Sequence, residues 1–376
     1  MKKWFSDEER TLLNTVCQLT DGDDCNTLLD KYMKYKRRKR PVLSQNQKYT
    51  LYESGGLLQL WFQTSPCRFS TQGKCTMCNY WNGNYIPGLV KKITDEVTIS
   101  PDYHTLLINT CGSCLDVKEV PQDELVCILD WISVSPVKRV IFETHWTTLT
   151  DSMLSLIQSK LPDKIIFYEI GIESTNPDTL YYFLNKPTSI MNMHKIINKV
   201  HSHHAKCIMN LVIGVPFLNP EEQLTDASES MRELLENGAD YLVLFPINIK
   251  PHTLVMDLYQ QGQYARIPSR IIADFLLNYF SDSLHKINVS WFGDRLEDDV
   301  IPPASCDTCY QDTTELLKMY NEEDETDRRQ ELLKKIASIQ CNCIRQYMSF
   351  KKEGTLLERV SRSYSALIEV MKRETT

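Results

Sequence analysis

A chain of 376 residues that is 42% hydrophobic and 24% charged can bury a large core and has the balance of a folded globular protein. Its formal net charge of −7 excludes a surface that attracts nucleic acid over its whole extent, while leaving room for a local basic patch. No apolar run approaches the roughly 20 residues of a membrane helix. MKKWFSDEERTLL places acidic residues where a signal peptide has its apolar core, so a cytoplasmic chain without a membrane partner is expected.

Residues 1–50 read as a helical and then irregular N-terminal extension ending in the basic run KYMKYKRRKR (31–40). Blocks of like charge are commonly exposed, so the run reads as a solvated segment, with contact to RNA phosphates as the alternative. Six nearly continuous apolar runs follow, at 57–64, 105–110, 137–144, 164–173, 206–215 and 239–249. Such runs suit parallel strands covered by helices or closed into a barrel. Amphipathic segments lie between them, near 121–134, 150–160 and 188–203. The clearest helix opens with Asn219 as N-cap, Pro220 in the first position and Glu222 in the third, and Gly238 can close it.

This alternation predicts an α/β fold, an incomplete TIM-like barrel of six strand–helix units, (β/α)6, over residues 51–300. A doubly wound open sheet is the alternative, and the lack of GxGxxG after the first strand counts against it. Over 301–376 the pattern changes to charged helices bracketed by cysteines, a small C-terminal module.

Thirteen cysteines, an odd number without an export signal, point to metal ligation rather than a disulfide framework. After the first strand, SPCRFSTQGKCTMCNYW places seven residues between Cys67 and Cys75, and two between Cys75 and Cys78. Three thiolates cannot close a four-cysteine zinc site without a distant partner; they can hold three irons of a 4Fe-4S cluster and leave the fourth open. A zinc knuckle completed by a remote Cys or His is the competing reading. The loop's position, at the C-terminal end of a parallel strand, favours the cluster. A second group pairs Cys306 with Cys309 and Cys341 with Cys343, for which zinc and an auxiliary iron-sulfur cluster are equally compatible. Cys17, Cys25, Cys127 and Cys207 read as buried small hydrophobes. Cys111 and Cys114 fall close to the expected site.

Each remaining strand ends in residues suited to a ligand. Gly112 and Ser113 follow the second strand and Glu143 ends the third. Glu173 and Ser174 end the fourth, Gly214 the fifth, and Asn248 follows the sixth. A Glu emerging from a buried strand is costly unless partnered, which marks Glu173 in particular.

PCRFSTQGKCTMCNYW, GSCLD with EVP (112–121), YEIGIEST (168–175) and PINIKPHTLVMDLYQQGQY (246–264) together resemble the radical S-adenosylmethionine enzymes of the elongator-catalytic-subunit-like type, and within it the archaeosine-synthase radical enzymes. The resemblance implies a partial barrel and a 4Fe-4S cluster on Cys67, Cys75 and Cys78. It implies S-adenosylmethionine against Met77, Gly112, Ser113, Glu143, Glu173, Ser174, Gly214 and Asn248. It also implies an oxygen-sensitive enzyme whose 5′-deoxyadenosyl radical abstracts hydrogen, fed by an electron donor such as flavodoxin or ferredoxin.

The chain departs from the family pattern at Cys114 (Phe expected), at Thr144-His145 (Arg expected), at Gly214 (Lys expected) and at Met77 (an aromatic expected). These departures and the acidic balance favour a small-molecule or amino-acid-derived substrate over tRNA. A zinc protein without catalysis is the third reading.

Overall fold

The computed structural model describes residues 3–20, 22–38, 48–186, 188–290, 300–303, 306, 309–350 and 353–373. One eight-stranded sheet runs in chain order through β1 (Tyr49–Ser54), β2 (Leu57–Phe62), β3 (Thr105–Thr110), β4 (Arg139–Thr144), β5 (Ile165–Glu173), β6 (Lys206–Ile213), β7 (Tyr241–Pro246) and β8 (Ile287–Val289). Strands β2 to β8 pair in parallel, and β1 returns antiparallel along β2. Strict sequential order with a helix in each crossover is the topology of a barrel left open, so the incomplete TIM-like α/β fold is the one observed.

The six predicted strands are β2 to β7. The sequence reading missed both edges. β1 is joined to β2 by Gly55-Gly56, both with positive φ, a hairpin turn that only glycine-like residues adopt cheaply. β8 is three residues long and is read by the C-terminal module: the Asn321 amide both donates to the Val289 carbonyl (2.7 Å) and accepts from its N–H (3.0 Å). That amide satisfies a sheet edge that would otherwise be exposed.

Alternation along the strands sorts the side chains. Leu106, Ile108, Val140, Phe142, Tyr168, Ile170, Met209 and Leu211 face the helices and form the main core. Their neighbours Asn109, Glu143, Glu169 and Asn210 therefore face the lumen. The helix Pro220–Glu236 has the expected capping box, with Asn219 accepting from the Glu222 N–H at 2.9 Å and Glu222 accepting from the Asn219 N–H at 2.7 Å.

A second apolar cluster gathers the C-terminal ends of the strands (Val212, Ile247), the N-terminal helices Asp7–Val16 and Cys25–Arg37, and the last helix Leu356–Arg373. Both chain ends thus pack on the functional face of the barrel. Two expectations change here. Cys17 and Cys25 are joined as a disulfide rather than being separate buried thiols, because the short connection between the two helices brings their Cα atoms to 4.9 Å. Through Arg38 the basic run is not a solvated segment: residues 31–37 form the last two turns of a packed helix and Arg38 is its C-cap. Lys36 pairs with Asp257 (2.7 Å), and Arg37 is 6% exposed. Residues 39 and 40 lie outside the described residues.

Candidate active site

Cys67 stands at the C-terminal end of β2, and the loop it opens carries Cys75 and Cys78 against the mouth of the barrel. All three are free thiols and all three line one cavity, whose volume with its open mouth is about 1060 Å³.

The loop is held by its backbone. Cys67 N–H donates to the Tyr80 carbonyl (2.9 Å), Cys75 N–H to Asn185 (3.1 Å) and Thr76 N–H to Leu184 (3.0 Å). The last two acceptors belong to a wide i→i+5 helical turn, Thr179–Leu184, and the left-handed Asn185 that ends it. From the outer side the buried guanidinium of Arg37 donates to the carbonyls of Ser70, Lys74 (3.0 Å), Cys75 (3.3 Å) and Cys78 (3.2 Å). A guanidinium has five donors in a fixed fork, which a lysine could not reproduce.

Two further charged groups complete the frame. Glu119 accepts from the N–H of Arg68 (3.0 Å) and of Ser113 (2.8 Å), tying the cysteine loop to the β3 loop. Burial pushes its carboxyl up to about 7. Glu173 pairs with Lys186 at 2.7 Å, and both are nearly buried. A register shift in β5 between Gly171 and Glu173 turns Glu173 into a positive φ of 72°. A Cβ on Gly171 would lie 2.9 Å from the Glu173 carboxylate, so the pair needs glycine there. Burial opposes the Lys186 charge, but Glu173 and the nearby thiols outweigh it and hold the ammonium protonated. Burial raises the Cys67 and Cys75 thiols. His145 is driven well below its ordinary value by burial, so its imidazole is neutral; it stacks on Phe69 at 4.1 Å.

Of the sequence-derived positions, Met77, Gly112, Ser113, Glu143, Glu173 and Asn248 line the cavity with the three cysteines. Ser174 and Gly214 do not. Ser174 is fully buried behind the strand, where its hydroxyl accepts from the Asn176 N–H (3.0 Å) and meets Ser230. Gly214 turns at φ 95°, and its carbonyl accepts from Tyr264 (2.7 Å). Cys111 and Cys114 are buried and do not line the cavity.

The sequence reading missed Arg37, Glu119, Glu169, Lys186, Asn210 and Lys250. A signal existed for two of them: Glu169 interrupts IIFYEIGIE and Asn210 interrupts CIMNLVI, just as Glu173 ends its strand. Arg37 carried none, since its partners are carbonyls.

Away from this cavity, Cys306, Cys309, Cys341 and Cys343 converge with sulfurs all within 4.8 Å of one another. Cys306 and Cys309 are 3.6 Å apart, Cys309 and Cys343 3.9 Å. Among the described residues no helix is long and apolar enough to cross a membrane.

Three free thiols stand on the loop after the first parallel strand of a partial parallel barrel, as the resemblance of the sequence to radical S-adenosylmethionine enzymes implies. No protein-family model matches it. It is 24% identical over 212 residues to archaeosine synthase subunit beta of Methanosarcina acetivorans, covering 54% of this chain and 61% of that one. It is 23% identical over 209 residues to the protein of the same name from Thermococcus kodakarensis, covering 52% and 63%. The chain thus spans about six-tenths of the length of the curated relatives it matches. Among solved structures it is similar to methylornithine synthase (TM-score 0.48, 10% identity, 88% of this chain and 97% of that one). It is also similar to a radical S-adenosylmethionine methyltransferase of Kitasatospora setae (0.38, 10%, 57% and 40%).

Proposed function

We propose that the chain is a radical S-adenosylmethionine enzyme that abstracts hydrogen from a small-molecule or amino-acid-derived substrate held in the barrel lumen. The observation that carries this is the convergence of Cys67, Cys75 and Cys78, all reduced, on one cavity at the C-terminal face. Their chemistry fits the group: thiolates are the ligands of iron-sulfur clusters, and three of them leave one iron free. Burial that keeps the empty thiols protonated is reversed by a bound metal's own charge. With S-adenosylmethionine, such a cluster supplies a 5′-deoxyadenosyl radical on receipt of one electron, here from an external donor of the flavodoxin or ferredoxin kind.

The chain's own residues bind, orient and shield. Arg37 from outside the cavity and Glu119 from its wall fix the thiol loop. Gly112 and Ser113 offer close backbone and a hydroxyl on one wall, Met77 an apolar face, and the Glu173–Lys186 pair both signs of charge. His145 is neutral and packed on Phe69 where the sequence resemblance leads one to expect an arginine, which supports a substrate other than tRNA.

The second cysteine group suits a single ion. Four thiolates about 2.3 Å from one tetrahedral zinc stand about 3.8 Å apart, matching the two measured separations, whereas the ligands of a cubane sit on four separate irons and lie much farther apart. This supports structural zinc over an auxiliary cluster.

Anaerobic reconstitution tests the main reading. The chain should take up iron and sulfide and, with reductant, release 5′-deoxyadenosine from S-adenosylmethionine; an unchanged optical spectrum in Cys75→Ala would overturn it.

A further inference from the structure

On the radical reading, an electron must reach the three thiols while S-adenosylmethionine and substrate fill the cavity they line. The thiols stand at the C-terminal end of the barrel, so the barrel backs them on one side and the cavity opens on another. The outer side of the cysteine loop remains, and the helix Cys25–Arg37 covers it. The cover is close. Gly73, in the middle of the loop, meets the helix so tightly that a Cβ there would lie 2.4 Å from the Asp30 carbonyl oxygen. In the last turn Arg37 donates to the carbonyls of Cys75 (3.3 Å) and Cys78 (3.2 Å). Arg38, the next residue, is exposed. A single step along the chain therefore leads from solvent to a guanidinium that touches the backbone of two of the thiol residues.

The charge of this face is opposite to that of the chain. Residues 31–38 hold five basic side chains and no acidic one, and residues 67–78 hold Arg68 and Lys74 and no acidic one, in a protein of net charge −7. Four of these cations are matched: Lys31 by Asp23 (2.7 Å), Lys36 by Asp257 (2.7 Å), Lys74 by Asp30 (2.8 Å) and Arg68 by Asp116 (2.9 Å). Arg37 is occupied by carbonyls. Lys34 and Arg38 are exposed, stand four residues apart on one face at the end of the helix, and pair with no carboxylate among the described residues.

We infer that this face, centred on Lys34 and Arg38, docks an acidic one-electron carrier protein of the flavodoxin kind, and that the last turn of the helix is where the electron enters. The carrier is oxidised and the cluster reduced by one electron, with no bond made or broken between the two proteins. Two exposed cations add little to the strength of a complex, but they speed encounter and fix orientation, which suits a carrier that must dock and leave. RNA phosphates would meet the same two cations, yet nothing in phosphate binding calls for a face directly behind the thiols.

The inference rests on the radical reading, and its test separates the two by changing only the reductant. The reconstituted full chain is given S-adenosylmethionine with either dithionite, which needs no docking face, or a reduced acidic flavodoxin. Release of 5′-deoxyadenosine is followed at about 0.01 M and about 0.1 M salt, where charges are screened over about 30 and about 10 Å. With flavodoxin the rate should fall as salt rises. Lys34→Glu/Arg38→Glu should lower it at least about tenfold at low salt, the lower end of electrostatic steering. With dithionite the variant should match the parent chain. Lys334→Glu/Lys335→Glu, an exposed pair on the C-terminal module, changes the net charge equally and should leave both rates as they were. Equal losses in the two double variants, or a flavodoxin rate indifferent to Lys34→Glu/Arg38→Glu, would overturn the inference. So would a matching loss with dithionite, which would mean that the helix end only holds the loop. No 5′-deoxyadenosine from the parent chain with dithionite would sink the radical reading, and this inference with it.

Discussion

The two cysteine groups use the same ligand for opposite ends. Cys67, Cys75 and Cys78 are spread along one loop, face a cavity, and are held in place by other residues: Arg37 on the carbonyls, Glu119 on the amides, the Thr179–Leu184 turn on the N–H groups. Cys306, Cys309, Cys341 and Cys343 crowd within 4.8 Å of one another and line no part of that cavity. A thiol set that is one ligand short and framed by its surroundings leaves a coordination position for chemistry. A set that satisfies itself leaves none and can only join the segments that bear it. Cys309 begins the helix Tyr310–Glu322 and Cys343 lies in the helix Asn342–Met348, so the closed group ties the start of the first helix to the second.

The sharpest way to break this contrast is to remove one ligand from each set. Cys75→Ala should abolish cluster assembly and 5′-deoxyadenosine release, read by the visible absorption band and by chromatography of the products. Cys343→Ala should leave the band and lower the melting temperature, by on the order of 5 °C or more, because the ion's binding energy is folding energy for the segments it joins. Loss of the band in Cys343→Ala with an unchanged melt would mean the roles are reversed. A chelator that strips zinc should reproduce the Cys343→Ala melt without bleaching the band.

A smaller effect is expected from the frame of the open set. Arg37→Gln leaves buried carbonyls of the loop without donors, at about 1–3 kcal/mol for the unsatisfied groups. Apparent iron occupancy should fall while the remaining cluster keeps its spectrum. Arg37→Lys should recover only part, since one ammonium cannot span carbonyls from Ser70 to Cys78. Full occupancy in Arg37→Gln would show that the loop holds itself.

Much of this was legible before any coordinates. Continuous apolar runs gave β2 to β7, since strands covered on one side by helices and closed round a lumen on the other need little polar surface, and Asn219-Pro220-x-Glu222 marked its helix by capping chemistry that is local. The cysteine spacing gave both groups for the same reason. What stayed hidden is non-local. Nothing in KYKRRKR distinguishes Arg37, buried under a loop more than 30 residues away, from the exposed Arg38. Ser174 looked like a mouth residue because it follows Glu173, but the register shift that turns Glu173 inward sends Ser174 behind the strand. Glu169 and Asn210 were readable by the rule that marked Glu173, a polar side chain inside an apolar strand.

The smallest effect separates the two regions by pH. Burial, and for Glu143 the charge of Glu169, raise the neighbouring carboxyls of Glu143 and Glu169 above the ordinary 4.5, whereas the closed cysteine set holds no carboxyl of its own. A carboxyl raised in the folded state adds stability that is complete below the unfolded value. That stability is lost as pH rises through the folded value, because the fold then holds an ionised group it solvates poorly. The cluster-free chain should therefore melt at lower temperature as pH is raised from about 4.5 to about 8, the window set by Glu143. Glu169→Gln cannot ionise and also removes the charge that raises Glu143, so its melt should fall less over the same range. The two curves should meet near pH 5 and part by on the order of 1–2 kcal/mol at pH 8, as a tenfold change in proton affinity is worth about 1.4 kcal/mol. Parallel curves would mean that Glu143 and Glu169 are solvated in the folded chain and not buried against each other in the barrel.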